Sequence, residues 1–533
     1  MIRALGFERV SLVGILVLTL AGAVSLGRDD GKQMESAFRL NYLGYFRDGP
    51  KIALFLGPEQ GALHWEIRDA SGNTVATGET TDYRSRDFAS GDSFYRVDFS
   101  SFSKAGSGYR LQVGEEASET FDIDPVNPYG RLAAEAFDYF RDHRHEAVTF
   151  SQFLGDWAEG SIAGAFWNDA GDPGFYPTNT AIAVWTLMNL NERFPDADAS
   201  FGTPTTLYQE VGFEMQLMRR LILPGEKLAI AKLHTQIEPY GPCAPHTKGD
   251  CISKPETKAT FAVARSLAQM ARFHLARGDG ASARAFQAEA RTALTNATTT
   301  APLCRGFEDF GGVGGIYPDN DNFALWREPR AFREPCHPDP NNIQDDEFAA
   351  LVEVYLTAEQ LREPDARELA RKVQAHPRFG EISEFWWGAV AATGNVSLLT
   401  VRPADVDLAP VRENLYRYAD ECIRFMDVGY PGVTKDARSN RWDSGDRDEV
   451  DNNWRWGSNR MLLNDGILLA LAAEERTAAG DRSGAARYAR YAVRVMDYIL
   501  GTNAMALSMV TGFGENAVER THDCCVPDSE PGK

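Results

Sequence analysis

Two aspartates in one short turn are the residues whose types and spacing best suit catalysis. Asp169 and Asp172 lie in the segment Trp167–Tyr176 and are separated only by Ala170 and Gly171. Such a turn can direct both carboxylates at one small volume, where the crowding of like charges raises one pKa and leaves the other group ionised. The pair can then hold a water molecule and remove its proton as the water attacks. For an isolated Asp-Ala-Gly-Asp, however, a calcium site, a helix cap or an ordinary turn is together the better explanation.

Several tryptophans lie in the long segments between helical patterns. They are Trp157, Trp167, Trp326, Trp442, Trp454 and Trp456. Buried tryptophans usually fill cores, and we expect about half of these to do so. The flat faces of the others suit the apolar faces of sugar rings. We therefore predict that Trp167, Tyr176, Trp454 and Trp456 contact a sugar substrate.

The charge of the chain narrows the class of ligand. Its 533 residues include 76 Asp and Glu against 55 Lys and Arg, which gives a formal net charge of −21. A charge of this sign repels nucleic acid and anionic membranes. We therefore expect a polysaccharide or oligosaccharide substrate, no nucleic-acid partner, no stable membrane partner and a monomeric protein.

Two regions of different hydrophobic periodicity must position these residues. Between Phe38 and Ile123, short runs alternate apolar and polar residues, which predicts a small antiparallel β-sandwich. The runs are 51–56, 64–69, 94–99 and 109–113. After Pro128 the period becomes helical, with about eleven helices and no strand between them, which excludes a doubly wound sheet. The predicted helices are 130–143, 178–193, 205–221, 257–277, 280–297, 345–361, 364–374, 380–392, 410–427, 458–476 and 481–501.

The N-terminus has the pattern of an export signal. Arg3 and Arg9 precede an uncharged run over residues 10–27 that ends in small residues. This pattern predicts a cleaved signal peptide over residues 1–27 and a secreted or periplasmic protein. An uncleaved membrane anchor is the alternative, because about 18 uncharged residues are just enough to span a bilayer.

Cysteines and acidic clusters raise the question of structural bonds and metals. Cys243 and Cys251 bracket a loop with Pro and Gly and form the best local disulfide pair in an exported chain. Zinc binding with His246 is the alternative, but four ligands at a recognised spacing are lacking. Residues 319–322 resemble part of a calcium loop to which 345–347 would add oxygens, although helix capping explains these acids better. We expect no required cofactor and leave a structural calcium open.

In the order of its motifs the chain resembles glycoside hydrolase family 9, the inverting cellulase family, in the architecture that begins with an immunoglobulin-like domain. The matching segments are Arg39–Tyr45, Pro50–Ala53, Trp167–Tyr176, Lys258–Thr260 with the helix to Arg272, Asp345–Leu356, Trp456–Asn459, Leu463–Asn464, Asp497–Asn503 and Val510–Gly514. The resemblance implies a mainly α protein. An immunoglobulin-like β-sandwich over 36–124 would precede an (α/α)₆ barrel over 128–533.

The resemblance also implies roles for individual residues. Asp172 would be the general base and Asp169 would help to position the attacking water. The acid would be a Glu roughly 6.5 to 9.5 Å from the base. The family's acid motif and its last helix are not found before Lys533, whereas His522 would stand for a histidine that binds sugar hydroxyls.

Two explanations of the missing acid stay open, a fragment of a longer protein or a degenerate family member. A chain without its general acid is expected to be poorly active, because that loss costs roughly 10² to 10⁴ in rate. The sequence thus predicts a secreted inverting hydrolase of β-1,4-glucan, of the endoglucanase type. The alternatives are an exo-acting glucosaminidase or cello-oligosaccharide hydrolase on the same scaffold, or an impaired carbohydrate-binding homologue.

Overall fold

The computed structural model describes residues 36–87, 90–124, 128–153, 158–168, 174–196, 202–234, 251–252, 255–300, 343–433 and 457–519. These residues divide into two compact units. One unit combines the described residues up to Ala136 with those from Leu415 onward, and the other comprises the described residues from Phe137 to Asn414. The sequence domains predicted at 36–124 and 128–533 stay predictions.

The first unit begins with a β-sandwich of two sheets. Its strands are β1 (Phe38–Arg39), β2 (Tyr45–Phe46), β3 (Ile52–Leu56), β4 (His64–Arg68), β5 (Thr74–Glu79), β6 (Thr81–Arg84), β7 (Phe94–Asp98), β8 (Gly106–Val113), β9 (Glu116–Ala117) and β10 (Phe121–Asp124). One sheet has the order β1-β3-β7-β6, and the other has the order β2-β10-β8-β4-β5 with β9 paired to β8. Alternate residues of β8, namely Tyr109, Leu111 and Val113, are buried in the core between the sheets. The four predicted strands are all present, so the predicted sandwich is confirmed.

Helices complete the first unit. The structure has α10 (Ser458–Ala478) and α11 (Arg482–Ile499) in this unit, and α1 (Gly130–Asp142) and α9 (Ala409–Met426) include residues of both units. Asn41 of the sandwich donates from Nδ2 to the Tyr129 hydroxyl and to Asp497 Oδ1, both at 2.8 Å. The sandwich and the last described helix are therefore joined through buried polar groups.

The second unit is mostly helical. Its helices are α2 (Pro177–Arg193), α3 (Leu207–Met218), α4 (Thr257–Ala276), α5 (Gly280–Thr299), α6 (Gln344–Gln360), α7 (Ala366–Ala375) and α8 (Ala391–Val401). The central α4 packs against α5, α6 and α2. With α1, α9, α10 and α11, the described residues form eleven helices, which agrees with the predicted number.

Strands interrupt the helices of the second unit, so the expectation that no strand lies between them is wrong. The strands are β11 (Arg144–Phe150), β12 (Gln152–Phe153), β13 (Ile162–Trp167), β14 (Gly174–Phe175), β15 (Ala229–Ile230), β16 (Leu233–His234), β17 (Cys251–Ile252) and β18 (Pro255–Glu256). β11 and β13 form an antiparallel pair, and β14 pairs with β16. Most of these strands have two residues, which is too short for a period of two to be visible in the sequence.

The predicted helix at 380–392 is also wrong, because the helix lies one element later as α8. Gly380 has a φ of +83°, and Trp386 forms a β-bridge with Ala389, so this stretch is a series of turns. α8 contains Thr393, Gly394 and Val396, which are poor helix formers. Burial of most of its residues stabilises the helix instead.

Two further predictions concern cysteines and membranes. Cys422, predicted in an apolar helix, is buried in α9. Across the described ranges, every helix is too short or too polar to cross a bilayer. Cys243 and the side chain of Cys251 lie outside the description, so their disulfide stays a prediction.

Candidate active site

The structure describes both flanks of the predicted catalytic turn. β13 ends at Trp167, β14 begins at Gly174, and α2 begins at Pro177. The turn itself lies outside the described residues, as do three predicted sugar-binding residues. These predictions, whose roles stay predictions, are Asp169, Asp172, Trp454, Trp456 and His522.

Trp167 anchors the flank that precedes the turn. Its indole Nε1 donates to Glu210 Oε1 and its backbone N–H donates to Glu214 Oε2, each at 2.8 Å. The ring packs against Phe140, with 4.8 Å between the ring centroids, and only 6% of the residue is exposed. Trp167 is therefore a core side chain in this structure rather than an open indole face, and its contact with a sugar stays a prediction.

Tyr176 and its neighbours anchor the flank that follows the turn. Gly174 pairs with β16, and a Cβ at Gly174 would lie 2.9 Å from the Leu233 carbonyl oxygen, so this strand approaches its partner closely. Lys232 Nζ lies 4.4 Å from the centroid of the Tyr176 ring, within the range of a cation–π interaction. Tyr176 is buried, and its predicted contact with a sugar also stays a prediction.

Helix α3 supplies the carboxylates that hold the first flank. Thr206 begins the helix with a capping box, in which its side chain accepts from the Gln209 N–H and Gln209 accepts from the Thr206 N–H. Glu210 and Glu214 then lie one turn apart on the buried face. Sequence reasoning missed both residues, although two acids four positions apart within an apolar stripe are a signal of buried carboxylates.

The two carboxylates have different electrostatic surroundings. Glu210 binds the Arg144 guanidinium through two hydrogen bonds of 3.0 and 2.7 Å. Glu214 instead accepts from neutral groups, the Trp167 N–H and the Thr180 hydroxyl, the latter at 3.2 Å. Burial raises the pKa of Glu214 to about 8, so this carboxyl is mainly neutral at pH 7.

A second buried network lies among α2, α4, α6 and α8. Arg272 donates to Glu353 Oε2 at 2.5 Å and to Glu192 Oε1 at 2.7 Å. Ser397 donates to Glu353 Oε1 at 2.5 Å and accepts from the Trp185 indole at 2.9 Å. Because each charge has a partner of opposite sign and further hydrogen bonds, the network can remain buried at low cost.

The acidic residues that would extend a calcium loop are used differently. Asp345 and Asp346 lie buried in the first turn of α6, where Asp345 Oδ2 accepts from the Val390 N–H at 2.8 Å. Asp346 Oδ2 lies 3.5 Å from Lys258 Nζ. Within the residues that the structure describes, no group of three or more His, Cys, Asp or Glu could hold a metal ion. Because residues 319–322 lie outside them, the calcium site stays open.

Comparison with protein families gives two matches along the chain. A family model described as glycosyl hydrolase family 9 matches residues 155–528. A second, described as the cellulase N-terminal ig-like domain, matches residues 33–118. The two matches occur in the order that the sequence motifs predict.

Curated proteins with similar sequences include three cellulose-related enzymes. Endoglucanase C of Cellulomonas fimi is 26% identical over 559 residues, which cover 93% of this chain and 46% of that protein. A cellulose 1,4-beta-cellobiosidase of Acetivibrio thermocellus is 24% identical, over 91% of this chain and 58% of that protein. The chain thus spans about half the length of these two relatives. A cellodextrinase of Butyrivibrio fibrisolvens is 20% identical, over 91% of this chain and 86% of that protein.

Solved structures share the fold. A metagenome-derived glycoside hydrolase family 9 endoglucanase matches with a TM-score of 0.70 and 23% identity, covering 90% of this chain and 86% of its own. AaCel9A in complex with cellobiose-like isofagomine matches with a TM-score of 0.69 and 20% identity, covering 91% and 86%. This likeness confirms the predicted fold class, an immunoglobulin-like sandwich followed by the helical barrel fold of these enzymes.

Proposed function

Since this chain belongs to glycosyl hydrolase family 9, we propose that it hydrolyses β-1,4-linked glucan with inversion at the anomeric carbon. The observation that carries the proposal is the family match over residues 155–528, which includes the aspartate turn at 169–172. The endoglucanase, cellobiosidase and cellodextrinase named above support a β-glucan as the substrate. The excess of acidic residues suits an uncharged sugar chain.

In this mechanism Asp172 is the general base. It takes a proton from a water molecule as the water attacks the anomeric carbon, while Asp169 accepts the second hydrogen bond of that water. The bond to the leaving sugar breaks on the opposite face, so the configuration inverts. An acid elsewhere must protonate the leaving oxygen. Proton transfer and water attack need no cofactor, so we propose that none is required.

Replacement of Asp172 by Asn tests the base. The substrate is 2,4-dinitrophenyl β-cellobioside, whose leaving group departs without protonation, so its hydrolysis reports on the base and is independent of a general acid. We expect kcat to fall by about 10² to 10⁴, because a general base typically contributes that factor. The affinity for cello-oligosaccharides, measured by calorimetry, should be retained.

The control is Asp69→Asn, in an exposed turn of the sandwich where Asp69 accepts from the backbone of Ser71 and Asn73. It should leave turnover unchanged. Undiminished hydrolysis by Asp172→Asn would refute the assignment of the base. Sugar binding without hydrolysis of the activated substrate by the unaltered chain would favour a carbohydrate-binding homologue.

Product analysis distinguishes endo from exo action. An endo-acting enzyme lowers the viscosity of soluble cellulose derivatives rapidly, whereas an exo-acting enzyme releases small products at nearly constant viscosity. A cello-oligosaccharide hydrolase is the second candidate, because the chain covers 86% of the Butyrivibrio cellodextrinase. An exo-acting glucosaminidase is tested with glucosamine oligomers, whose positive charge an acidic protein tolerates.

We further propose that the protein is secreted or periplasmic, on the strength of the signal-like pattern over residues 1–27. N-terminal sequencing of the protein recovered from the producing cells tests this proposal. A mature chain that begins near residue 28 supports it, and an intact Met1 opposes it.

A further inference from the structure

Glu214 bonds to both sides of the predicted catalytic turn. Its Oε2 accepts from the backbone N–H of Trp167, the last residue of β13. Its Oε1 lies 3.2 Å from the hydroxyl of Thr180, in the first turn of α2. One side chain therefore spans the strand that precedes residues 169–172 and the helix that follows them.

The surroundings of Glu214 keep these bonds in place. Glu214 is fully buried, and α3 is fixed at its start by the capping box of Thr206. The next turn of α3 carries Glu210, which accepts from the indole of the same Trp167 and is itself held by Arg144 of β11. The strand end is thus fixed at two atoms of one residue, and only Glu214 extends the connection to α2 through the bonds described here.

We propose that Glu214 is a positioning residue that sets the placement of Asp169 and Asp172 by tying the preceding strand to the following helix. The inference rests on the proposed function, because it needs these aspartates to do the chemistry. Glu214 does not touch substrate in this role. It acts through the backbone at Trp167 and through the first turn of α2.

The protonation state of Glu214 gives the role a measurable signature. The charged groups that act on it are Glu210 on the same helix and Arg144 on β11, while β13 and α2 present the N–H of Trp167 and the hydroxyl of Thr180. With a pKa of about 8, Glu214 loses its proton in mildly alkaline solution and becomes a second buried anion beside Glu210. We expect the tie to weaken there, so kcat should fall as the pH rises through about 8.

Three substitutions separate positioning from general stability. Glu214→Gln keeps both bonds, because its amide oxygen accepts from Trp167 and its amide group donates to Thr180, and it cannot ionise. Its kcat should stay within about threefold of the parent and lose the decline near pH 8, since misplacement is avoided. Glu214→Leu removes both bonds, and kcat should fall by about 10², with a much smaller change in KM.

The third substitution, Thr180→Val, removes one bond and should lower kcat by about tenfold. Thr186→Val on the same helix is the matched control, because the Thr186 hydroxyl bonds only to the Ile182 carbonyl one turn earlier in the contacts described. It should leave kcat unchanged. Circular dichroism checks that each variant is folded, and Thr180→Val decides the question if Glu214→Leu is not.

Hydrogen exchange of the peptide spanning residues 168–176 gives a readout that does not depend on activity. Exchange should be faster than in the parent for Glu214→Leu and Thr180→Val, and unchanged for Glu214→Gln and Thr186→Val. Equal kcat and equal exchange for Glu214→Leu and Glu214→Gln would overturn the inference. Full turnover by Asp172→Asn would instead refute the proposed function, while the exchange data would still show whether Glu214 ties the two flanks.

Discussion

At the scale of single residues, Asp497 is a buried acid whose pH response can be predicted. Its Oδ1 accepts from Asn41 at 2.8 Å, and within the described residues no group donates to its buried Oδ2. Burial raises the pKa of Asp497 from 3.8 to about 7, even though Asn41 and Arg494 favour the ionised form. The folded protein therefore prefers a protonated Asp497, whereas the unfolded chain ionises it at lower pH.

Replacement of Asp497 by Asn should make stability less sensitive to pH. Asp497 contributes its full stability below pH 4, and this contribution is lost as the pH rises through about 7, because only the unfolded state gains the charge. The total loss is on the order of 4 kcal/mol. Asn keeps the bond to Asn41 and does not titrate, so the variant should gain stability over the parent between pH 4 and pH 8.

Urea unfolding at pH 4.5 and pH 8 measures this difference. Asp98→Asn, at an exposed position of the same unit, is the control and should follow the parent at both pH values. Parallel curves for the parent and Asp497→Asn would contradict the raised pKa.

At the scale of elements, two glycines terminate neighbouring helices in different surroundings. Gly480 and Gly501 each lie two residues beyond the end of a helix, α10 and α11, with φ of +79° and +131°. A Cβ at Gly480 would meet nothing within 4 Å, whereas one at Gly501 would lie 2.5 Å from the Leu40 carbonyl oxygen and 2.4 Å from the Tyr42 ring. The end of α11 therefore approaches the sandwich at a distance that only glycine allows.

Alanine at these two positions should have unequal effects on the free energy of unfolding. Gly480→Ala should lower it by about 1 to 2 kcal/mol, which is the cost of a left-handed conformation for a residue with a Cβ. Gly501→Ala should lower it by about 2 to 5 kcal/mol, because overpacking against a backbone carbonyl adds to that strain. Denaturant titration of the pair checks the difference, and equal losses would show that the contact with Leu40 and Tyr42 yields easily.

The elements also show what the sequence can and cannot predict. Long periodic segments were placed well, because burial of one face fixes both their type and their extent. The helix at 391–401 was misplaced because nearly all of its residues are buried, so no face stands out. The carboxyls of Glu210 and Glu214 escaped notice because their partners, Arg144 and Trp167, are distant in sequence. The aspartate turn was found from local spacing and a family resemblance, which need no tertiary contact.

At the scale of the molecule, the first unit joins the beginning and the end of the described chain. Tyr42 N–H donates to the Leu500 carbonyl at 3.0 Å, and the Tyr430 hydroxyl donates to Asp92 at 2.5 Å. Asn41 adds its bonds to Tyr129 and Asp497. The sandwich is therefore part of the packing that surrounds α11 rather than a separate appendage.

Removal of residues 1–124 should accordingly destabilise the helices of the first unit. The buried and half-buried bonds just described are worth about 1 kcal/mol each, and exposed apolar surface adds to the loss. We expect the midpoint of thermal unfolding to fall by roughly 10 °C. Differential scanning calorimetry measures it. Arg68→Ala, whose guanidinium bonds Glu66 on the same strand, is the control, and an unchanged midpoint in the shortened protein would contradict the expectation.

The bond between Asn41 and Asp497 spans 456 positions along the chain. A ribosome adds about 5 to 20 residues each second, so roughly half a minute to a minute and a half separates the synthesis of the two partners. Throughout that interval the sandwich surface that later meets α11 has no partner to cover it. Protection by a chaperone, or passage across a membrane before folding, would spare the nascent protein from aggregation during this wait.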